Sequence, residues 1–331
     1  MKVLITGGAG FIGSNFVHYI AKHRPSWQIT VFDNLTYAGN LSNLIGLGKS
    51  KYTFIKGDIC DEESINNAVG SNDLVVHFAA ESHVDNSINS PWPFANTNLI
   101  GTYWVLEAVR KNKKRLHHIS TDEVFGDLRP NDPKFSENSP YKPSSPYSAT
   151  KAGSDHLVRA WTKSFNITAT ISNCSNNYGP RQHPEKLIPR HVTEIIEGRE
   201  PKLYGEGTNI RDWIHVDDHN SAVLAIIEKG KNGETYLIGN NQEQTNKQVL
   251  DAILDIMGND ANYFEFVEDR PGHDRRYAID SSKIKEELDW EPKYKNFRDG
   301  LVDTINWYKD NEQWWKPQKA NTEEKYKKLG R

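Results

Sequence analysis

The sequence predicts an α/β protein: a doubly wound parallel sheet carrying a smaller mixed α/β lobe. Three observations predict it. Short apolar runs alternate with segments of helical spacing through the first half of the chain. A glycine-rich turn joins the first run to the first helix. Past about residue 175 the texture changes to a proline-broken loop and shorter elements.

Taken in order, Lys2–Thr6, Gln28–Phe32, Tyr52–Lys56, Asp73–Phe78, Arg115–Ser120 and Ile167–Asn173 read as strands. They are rich in Val, Ile and Phe and lack polar alternation, as a sheet buried on both faces requires. Pro91–Lys111 and Ser145–Phe165 have helical spacing; in the latter Ala149, Ala152, Leu157, Val158, Trp161 and Phe165 recur at steps of three and four. Prolines 180, 184 and 189 break the next stretch. Leu203–Tyr204, Arg211–Val216, Thr235–Ile238 and Tyr263–Val267 then read as strands, and Asp217–Lys229, Asn246–Met257 and Ser281–Leu288 as helices. The expected organisation is a first domain over 1–175, to which residues of about 208–229 return, and a substrate-covering lobe over 176–315. A charged tail, 316–331, is expected to fray.

Composition narrows the function. Lys and Arg total 41 against 44 Asp and Glu, a formal net charge of -3 over 331 residues, and no half of the chain is strongly basic, which argues against a dedicated nucleic-acid surface. The 36% of hydrophobic residues suffices for a packed core and argues against disorder. Cys60 and Cys174 are too few for a disulfide framework or a thiolate metal site. The start runs straight into a strand and glycines rather than a signal peptide, no apolar run is long enough to span a bilayer, and mean hydropathy is -0.73. The expectation is a reduced, cytoplasmic protein with no membrane partner.

Thr6-Gly7-Gly8-Ala9-Gly10-Phe11-Ile12-Gly13 sits between the first strand and first helix. It holds G-x-G-x-x-G from Gly8 and G-x-x-G-x-x-G from Gly7. Such glycines let the backbone approach a pyrophosphate, which the helix N-terminus stabilises. In this context the turn is a Rossmann-type dinucleotide signature. Asp33 ends the second strand, twenty positions past Gly13. A carboxylate there accepts from ribose hydroxyls and repels an extra phosphate, and no Arg follows in Asn34-Leu35-Thr36-Tyr37, so NAD is favoured over NADP. Asp58-Ile59, after the third strand, suits an adenine contact or a simple turn.

Tyr147 and Lys151 are four apart and project from one helix face. An ammonium beside a phenol lowers its pKa from ~10, giving a base for a sugar hydroxyl while hydride leaves for nicotinamide. Ser120-Thr121-Asp122-Glu123 ends the fifth strand, where such sheets bind ligands. Neighbouring acids in a strand face opposite ways, so both reach one substrate only if the chain leaves strand geometry there, which Gly126 permits. Two carboxyls in different environments supply an acid and a base. The alternative is a polar strand end that only caps the next loop.

These features together resemble the extended short-chain dehydrogenases/reductases, and within them the dTDP-glucose 4,6-dehydratase family. The resemblance runs over nearly the whole chain. Besides Thr6–Gly13, Ser120–Gly126, Tyr147 and Lys151, it rests on Ala79–Asp85, Asn173–Pro180, Pro184–Pro189, Asn209–His215 and Arg270–Tyr277. It implies C4 oxidation of a glucosyl nucleotide, elimination across C5 and C6, and hydride return to C6, with NAD retained. Tyr147 would deprotonate the 4-hydroxyl, Lys151 tune Tyr147 and hold the nicotinamide ribose, and Thr121 position the hydroxyl. Glu123 would remove the C5 proton while Asp122 protonates the departing 6-hydroxyl. Gly7, Gly10, Phe11, Ile12, Gly13, Asp33, Asn34, Leu35, Thr36, Asp58, Ile59, Ala79, Ala80, Ser82, Thr97, Tyr147, Lys151 and Cys174 would line the cofactor. Ser82, Thr121, Asn173, Glu185, Lys186, Leu187, Lys202, Tyr204, Arg211, Asn246, Arg270, His273 and Tyr277 would face the sugar nucleotide.

A guanidinium suits a diphosphate because it donates bidentately; for Arg211 the competing reading is an ion pair with Asp212 or Asp217. Arg275 and Arg276 read at least as well as surface charge. His83 is structural or a cofactor-side hydrogen bonder, and no spacing completes a metal site. The resemblance also implies a homodimer whose four-helix bundle would use Phe94, Trp104, Leu106, Trp161 and Phe165. Tryptophans 307, 314 and 315 are expected to cover the lobe. Rival readings are a nucleotide-sugar 4-epimerase or decarboxylase, which does not need the Asp122/Glu123 pair, and an NAD-sensing binding protein, which has no use for the four polar residues together.

Overall fold

The computed structural model describes residues 1–48, 50–268 and 274–328. The first half runs β1 (Lys2–Thr6), α1 (Phe11–His23), β2 (Gln28–Asp33), β3 (Tyr52–Lys56), α2 (Glu62–Gly70), β4 (Leu74–His77), α3 (Val84–Asn89), α4 (Pro91–Phe94), α5 (Thr102–Asn112), β5 (Arg115–Thr121), α6 (Pro146–Phe165) and β6 (Thr168–Cys174). Then come β7 (Asn176–Tyr178), α7 (Leu187–Ile196), β8 (Lys202–Tyr204), β9 (Ile210–His215), α8 (Val216–Lys229), β10 (Thr235–Ile238), β11 (Glu243–Thr245) and α9 (Asn246–Met257). The chain ends with β12 (Glu265–Val267), β13 (Arg276–Tyr277), α10 (Ser282–Leu288), α11 (Phe297–Asp310) and α12 (Glu312–Lys328).

The main sheet has seven strands in the order β10-β6-β5-β4-β1-β2-β3, and every pairing is parallel. This is the doubly wound α/β class read from the sequence. Strands such as β4, buried at all four positions, explain the continuous apolar runs. One face packs on α1 and α8 through Phe16, Ile20, Val223 and Ile226; the other packs on α2, α5 and α6 through Ile65, Val105, Val109 and Val158. The order reverses between β1 and β4, and ligands bind such sheets at the carboxyl ends beside that switch.

The six-strand expectation lacks β10. Thr235–Ile238, placed by the sequence in the lobe, pairs with β6 at Ile171–Cys174 and closes the sheet's edge. α8 likewise packs on α1, whereas β9 belongs to a separate four-stranded sheet with β7, β11 and β13. The lobe has its own core, in which Tyr178, Val192, Ile253, Leu301 and Trp315 are buried.

The tail expected to fray over 316–331 is helical over its described part, 316–328. α12 continues to Lys328, and buried Lys319 lies 2.8 Å from Glu197, 3.1 Å from Glu194 and 3.0 Å from Thr193 Oγ1. Trp307 and Trp314 pack on each other and against the core that includes buried Trp315, and Trp314 Nε1 donates to Asn43 Oδ1 at 2.9 Å, tying lobe to first domain. Phe94 and Leu106, expected on a dimer face, are buried within their own protomer; Trp104 and Trp161 are partly buried and Phe165 is half exposed. Arg276 is not surface charge: it is buried and holds Glu243 bidentately at 2.7 and 3.1 Å.

Candidate active site

The glycine turn after β1 is a cradle that side chains would fill. Gly7 has φ +68°, and a Cβ there would lie 2.6 Å from the Ala79 amide nitrogen; at Gly13 it would lie 2.3 Å from Gly7 O. Gly10 caps α1 without any side-chain hydrogen bond, so the first amides of α1, at Phe11 and Ile12, are left for an anion. Asp33 Oδ2 accepts from Ala9 N at 2.9 Å and Oδ1 from Leu35 N at 2.8 Å, which aims the carboxylate along the turn. Burial raises its pKa while those two amides oppose the rise. Leu35 itself has φ +57°. Asn34 Nδ2 donates to Asp58 Oδ2 at 2.9 Å and Cys60 N to Asp58 Oδ1 at 2.8 Å, so the ends of β2 and β3 form one polar ledge with buried Ile59 beneath. Thr36 follows in the next loop, and Ala79, Ala80 and Ser82 follow β4. Thr97 lies in a π-helical stretch, Ala95–Gly101, that bridges α4 and α5. A cradle closed to side chains, an uncapped helix end and a ribose-range carboxylate fit a dinucleotide.

Thr121 ends β5, and the chain then turns into a 3-10 segment, Asp122–Phe125. Glu123 N donates to Thr121 Oγ1 at 3.3 Å, and Gly126 at φ +89° ends the turn. The chain thus leaves strand geometry at the place the adjacent carboxyls require. Asp122 is 1% exposed, and its Oδ2 has no hydrogen-bond partner among the described residues. Burial, then the Glu123 and Asp212 carboxylates, hold its acid well above the ordinary range, with Arg211 and the Thr121 hydroxyl opposing. Glu123 is only partly buried. The two acids therefore occupy different environments.

Tyr147 and Lys151 sit in the first turns of α6, started by a capping box. Ser148 N donates to Ser145 Oγ at 3.1 Å and Ser145 N to Ser148 Oγ at 3.0 Å, with Pro146 at the first helical position. Both side chains are buried, and Lys151 Nζ donates to Ile119 O at 2.8 Å. The spacing predicts a phenol lowered by Lys151. Instead burial, then Glu123, push the Tyr147 phenol well above its ordinary value. Burial also lowers Lys151, with Asp155 as the largest opposing influence. Desolvation outweighs the helical pairing.

The remaining sequence-predicted residues divide. Asn173 Nδ2 donates to Thr121 O at 3.1 Å and to Asp155 Oδ2 at 3.0 Å, while Cys174 Sγ donates to Ser120 O at 3.4 Å. Arg211 is buried and makes no ion pair among the described residues. It donates to Ile210 O at 2.8 Å and Asp274 O at 3.0 Å, and stacks 4.4 Å over the Tyr277 ring, so pairing with Asp212 or Asp217 is set aside. Tyr277 donates to Asp274 Oδ2. Glu185 lies 3.9 Å from His83 and 3.8 Å from His183, just before Lys186 and Leu187 open α7. His83 caps α3. Asn246, buried, opens α9. Lys202 and Tyr204 lie on an exposed two-stranded sheet, with no hydrogen bond or ion pair to Thr121, Asp122, Glu123, Tyr147 or Lys151 among the described residues. Arg270 and His273 lie outside the described residues. No group of three or more metal-ligating side chains occurs among those described.

Sequence reasoning missed Asp155 and its donors. Ser120 Oγ donates to Asp155 Oδ2 at 3.0 Å and Tyr141 OH at 2.7 Å, and His118 Nε2 lies 3.3 Å from Oδ1. The signal was present: Asp155 is four past Lys151, the same step that separates Lys151 from Tyr147.

Comparison with known proteins places this geometry in a family. A family profile described as GDP-mannose 4,6 dehydratase matches residues 4–304. The dTDP-glucose 4,6-dehydratase of Mycobacterium tuberculosis is 56% identical over 331 residues, covering 100% of both chains. That of Bacillus anthracis, solved in complex with NAD, is 46% identical with a TM-score of 0.90, covering 96% of this chain and 99% of that one. The UDP-glucose 4-epimerase of Thermotoga maritima has the same fold at 29% identity and a TM-score of 0.87, covering 94% of this chain and 99% of that one. With the Thr121-Asp122-Glu123 turn, the Tyr147–Lys151 helix and full-length relatives above one-half identity, the chain belongs to the dTDP-glucose 4,6-dehydratase family.

Proposed function

We propose that this chain is an NAD-dependent hydro-lyase that converts dTDP-glucose to dTDP-4-keto-6-deoxyglucose and water. The observation that carries the reading is the environment of Asp122: a buried acid with an unpartnered oxygen, next to the half-wet carboxyl of Glu123. An epimerase on this fold needs no such pair.

Gly7, Gly10, Phe11, Ile12 and Gly13 would hold the cofactor's pyrophosphate and Asp33 its adenosine ribose. Asn34, Leu35, Thr36, Asp58 and Ile59 would flank the adenine side, and Ala79, Ala80, Ser82, Thr97, Tyr147, Lys151 and Cys174 the nicotinamide side. When bound, NAD supplies a hydride acceptor for C4, a donor for C6, and a positive ring that favours phenolate. Tyr147 takes the proton of the 4-hydroxyl, which the Thr121 hydroxyl orients. The 4-ketone acidifies the C5 hydrogen, which Glu123 removes as general base and would return to C5 as C6 receives hydride. Asp122, neutral at rest, donates its proton to the departing 6-hydroxyl. Asn173, Glu185, Lys186, Leu187, Asn246, Arg211 and Tyr277 would hold the nucleotide, with Lys202 and Tyr204 at the rim. Arg270 and His273 are proposed from sequence alone.

Exposed Trp92 and Ile100 in the segments before α5, and half-exposed Phe165 at the end of α6, favour a homodimer through α5 and α6. Two free cysteines favour a reducing, cytoplasmic compartment; no helix of the described residues is long and apolar enough to cross a membrane. The test is mass spectrometry of dTDP-glucose incubated with purified protein and no added reductant. Loss of one water is expected; an unchanged mass with NAD bound would overturn the reading.

A further inference from the structure

The catalytic groups lie on two elements, the end of β5 and the start of α6, and something must hold their spacing. We propose that Asp155 is a positioning residue that braces α6 against the ends of β5 and β6, and so fixes Lys151 relative to Thr121, Asp122 and Glu123. This rests on the dehydratase reading above. Asp155 is fully buried on the helix face that carries Tyr147 and Lys151. Its Oδ2 receives three donors from three places: Ser120 on β5, Asn173 on β6 and Tyr141 in the loop before α6. Asn173 spends the same amide on Thr121 O at 3.1 Å, which carries the brace to the catalytic turn. Lys151 Nζ crosses to Ile119 O on the same strand, one residue before Ser120.

The brace works because the carboxylate stays ionised in a dry site. Burial opposes ionisation, but His118, Lys151 and Asn173 hold the acid below its ordinary value. In return Asp155 is the largest influence keeping the buried Lys151 protonated. The charged or titratable groups around this pair are His118 on β5, Arg159 on α6, Cys174 on β6, His77 on β4 and Tyr141. His77 and His118 are held neutral by burial, and Cys174 is pushed up to about 12 by burial, so Asp155 is the counter-charge.

The test is Asp155→Asn in the full chain, read by turnover on dTDP-glucose and by NMR titration of the Lys151 ammonium in the resting protein. Turnover is expected to fall on the order of 10²-fold, as for a misplaced catalytic group, with KM little changed. The Lys151 midpoint is expected to move down. Turnover and midpoint both unchanged would overturn the brace, and so would lost turnover with the midpoint in place, which marks a purely structural residue. Should that variant fail to fold, Ser120→Ala removes one donor and keeps the charge. It is expected to lower turnover with the midpoint in place, and undiminished turnover there overturns the proposal. A wild-type protein that removes no water from dTDP-glucose defeats the functional reading instead, while the midpoint still reports on the brace.

Discussion

Asp122→Asn separates catalysis from stability in opposite directions. In the folded protein burial, then the Glu123 and Asp212 carboxylates, raise the acid well above its ordinary value. In the unfolded chain it ionises near ~3.9. A carboxyl whose folded pKa is raised contributes stability below its unfolded value and loses it as pH rises through the folded value. Asparagine has no such loss. From about pH 4 upward, the variant therefore gains on the wild type by about 1.4 kcal/mol per pH unit until the folded pKa is passed. Asp122 is 1% exposed, so solvent screening takes little from this. The new amide donors, if unpaired, cost about 1–3 kcal/mol at every pH and drop out of the pH difference. Activity goes the other way: losing the general acid costs ~10²–10⁴-fold, or about 3–5 kcal/mol of barrier. Denaturation midpoints from pH 5 to 8, beside single-turnover product analysis, check both. A stability gap constant with pH would show Asp122 ionised at rest and refute the acid assignment, as would undiminished water loss.

Glu123→Gln is expected to leave C4 oxidation intact and block elimination, so reduced cofactor absorbance builds up on the enzyme; full turnover would remove Glu123 as the base. Gly13→Ala places a Cβ 2.3 Å from Gly7 O, and the turn must open by about 1 Å to reach ordinary contact; purified variant should carry little NAD, measured by release on denaturation. His117, at about 3, and His118, His191 and His219, at about 4, are lowered first by burial. Unfolded imidazoles take up protons from about pH 6.5 downward, so stability should fall between pH 6.5 and 4 by up to about 1.4 kcal/mol per pH unit per imidazole, less what Asp122 and Asp212 return. Flat denaturation midpoints over that range would contradict it.

The parallel sheet was legible because strands buried on both faces leave unbroken apolar runs, and the glycine turn because its backbone has no room for a side chain at Gly7 or Gly13. The pairing of Asp122 with Glu123 was legible only as a condition on backbone geometry, which Gly126 meets. The place of β10 was not: Thr235–Ile238 reads as a strand, but so short a strand looks alike in a lobe or at a sheet edge. Nor was the tail: 316–331 reads as a charged end that frays, yet Lys319 finds Glu194 and Glu197 far away in sequence. The Tyr147 phenol misled because helical spacing records neighbours and not desolvation.

The seventh strand has a consequence for synthesis. A nascent chain that has reached residue 175 already contains the glycine turn and all five residues proposed to be catalytic, but β6 has no partner on its outer side until residue 235 follows. Through that interval β6 offers a bare row of amides and carbonyls, and α1 lacks the cover of α8. A fragment ending at 175 would pair edge to edge with its copies rather than bind cofactor as a free-standing unit.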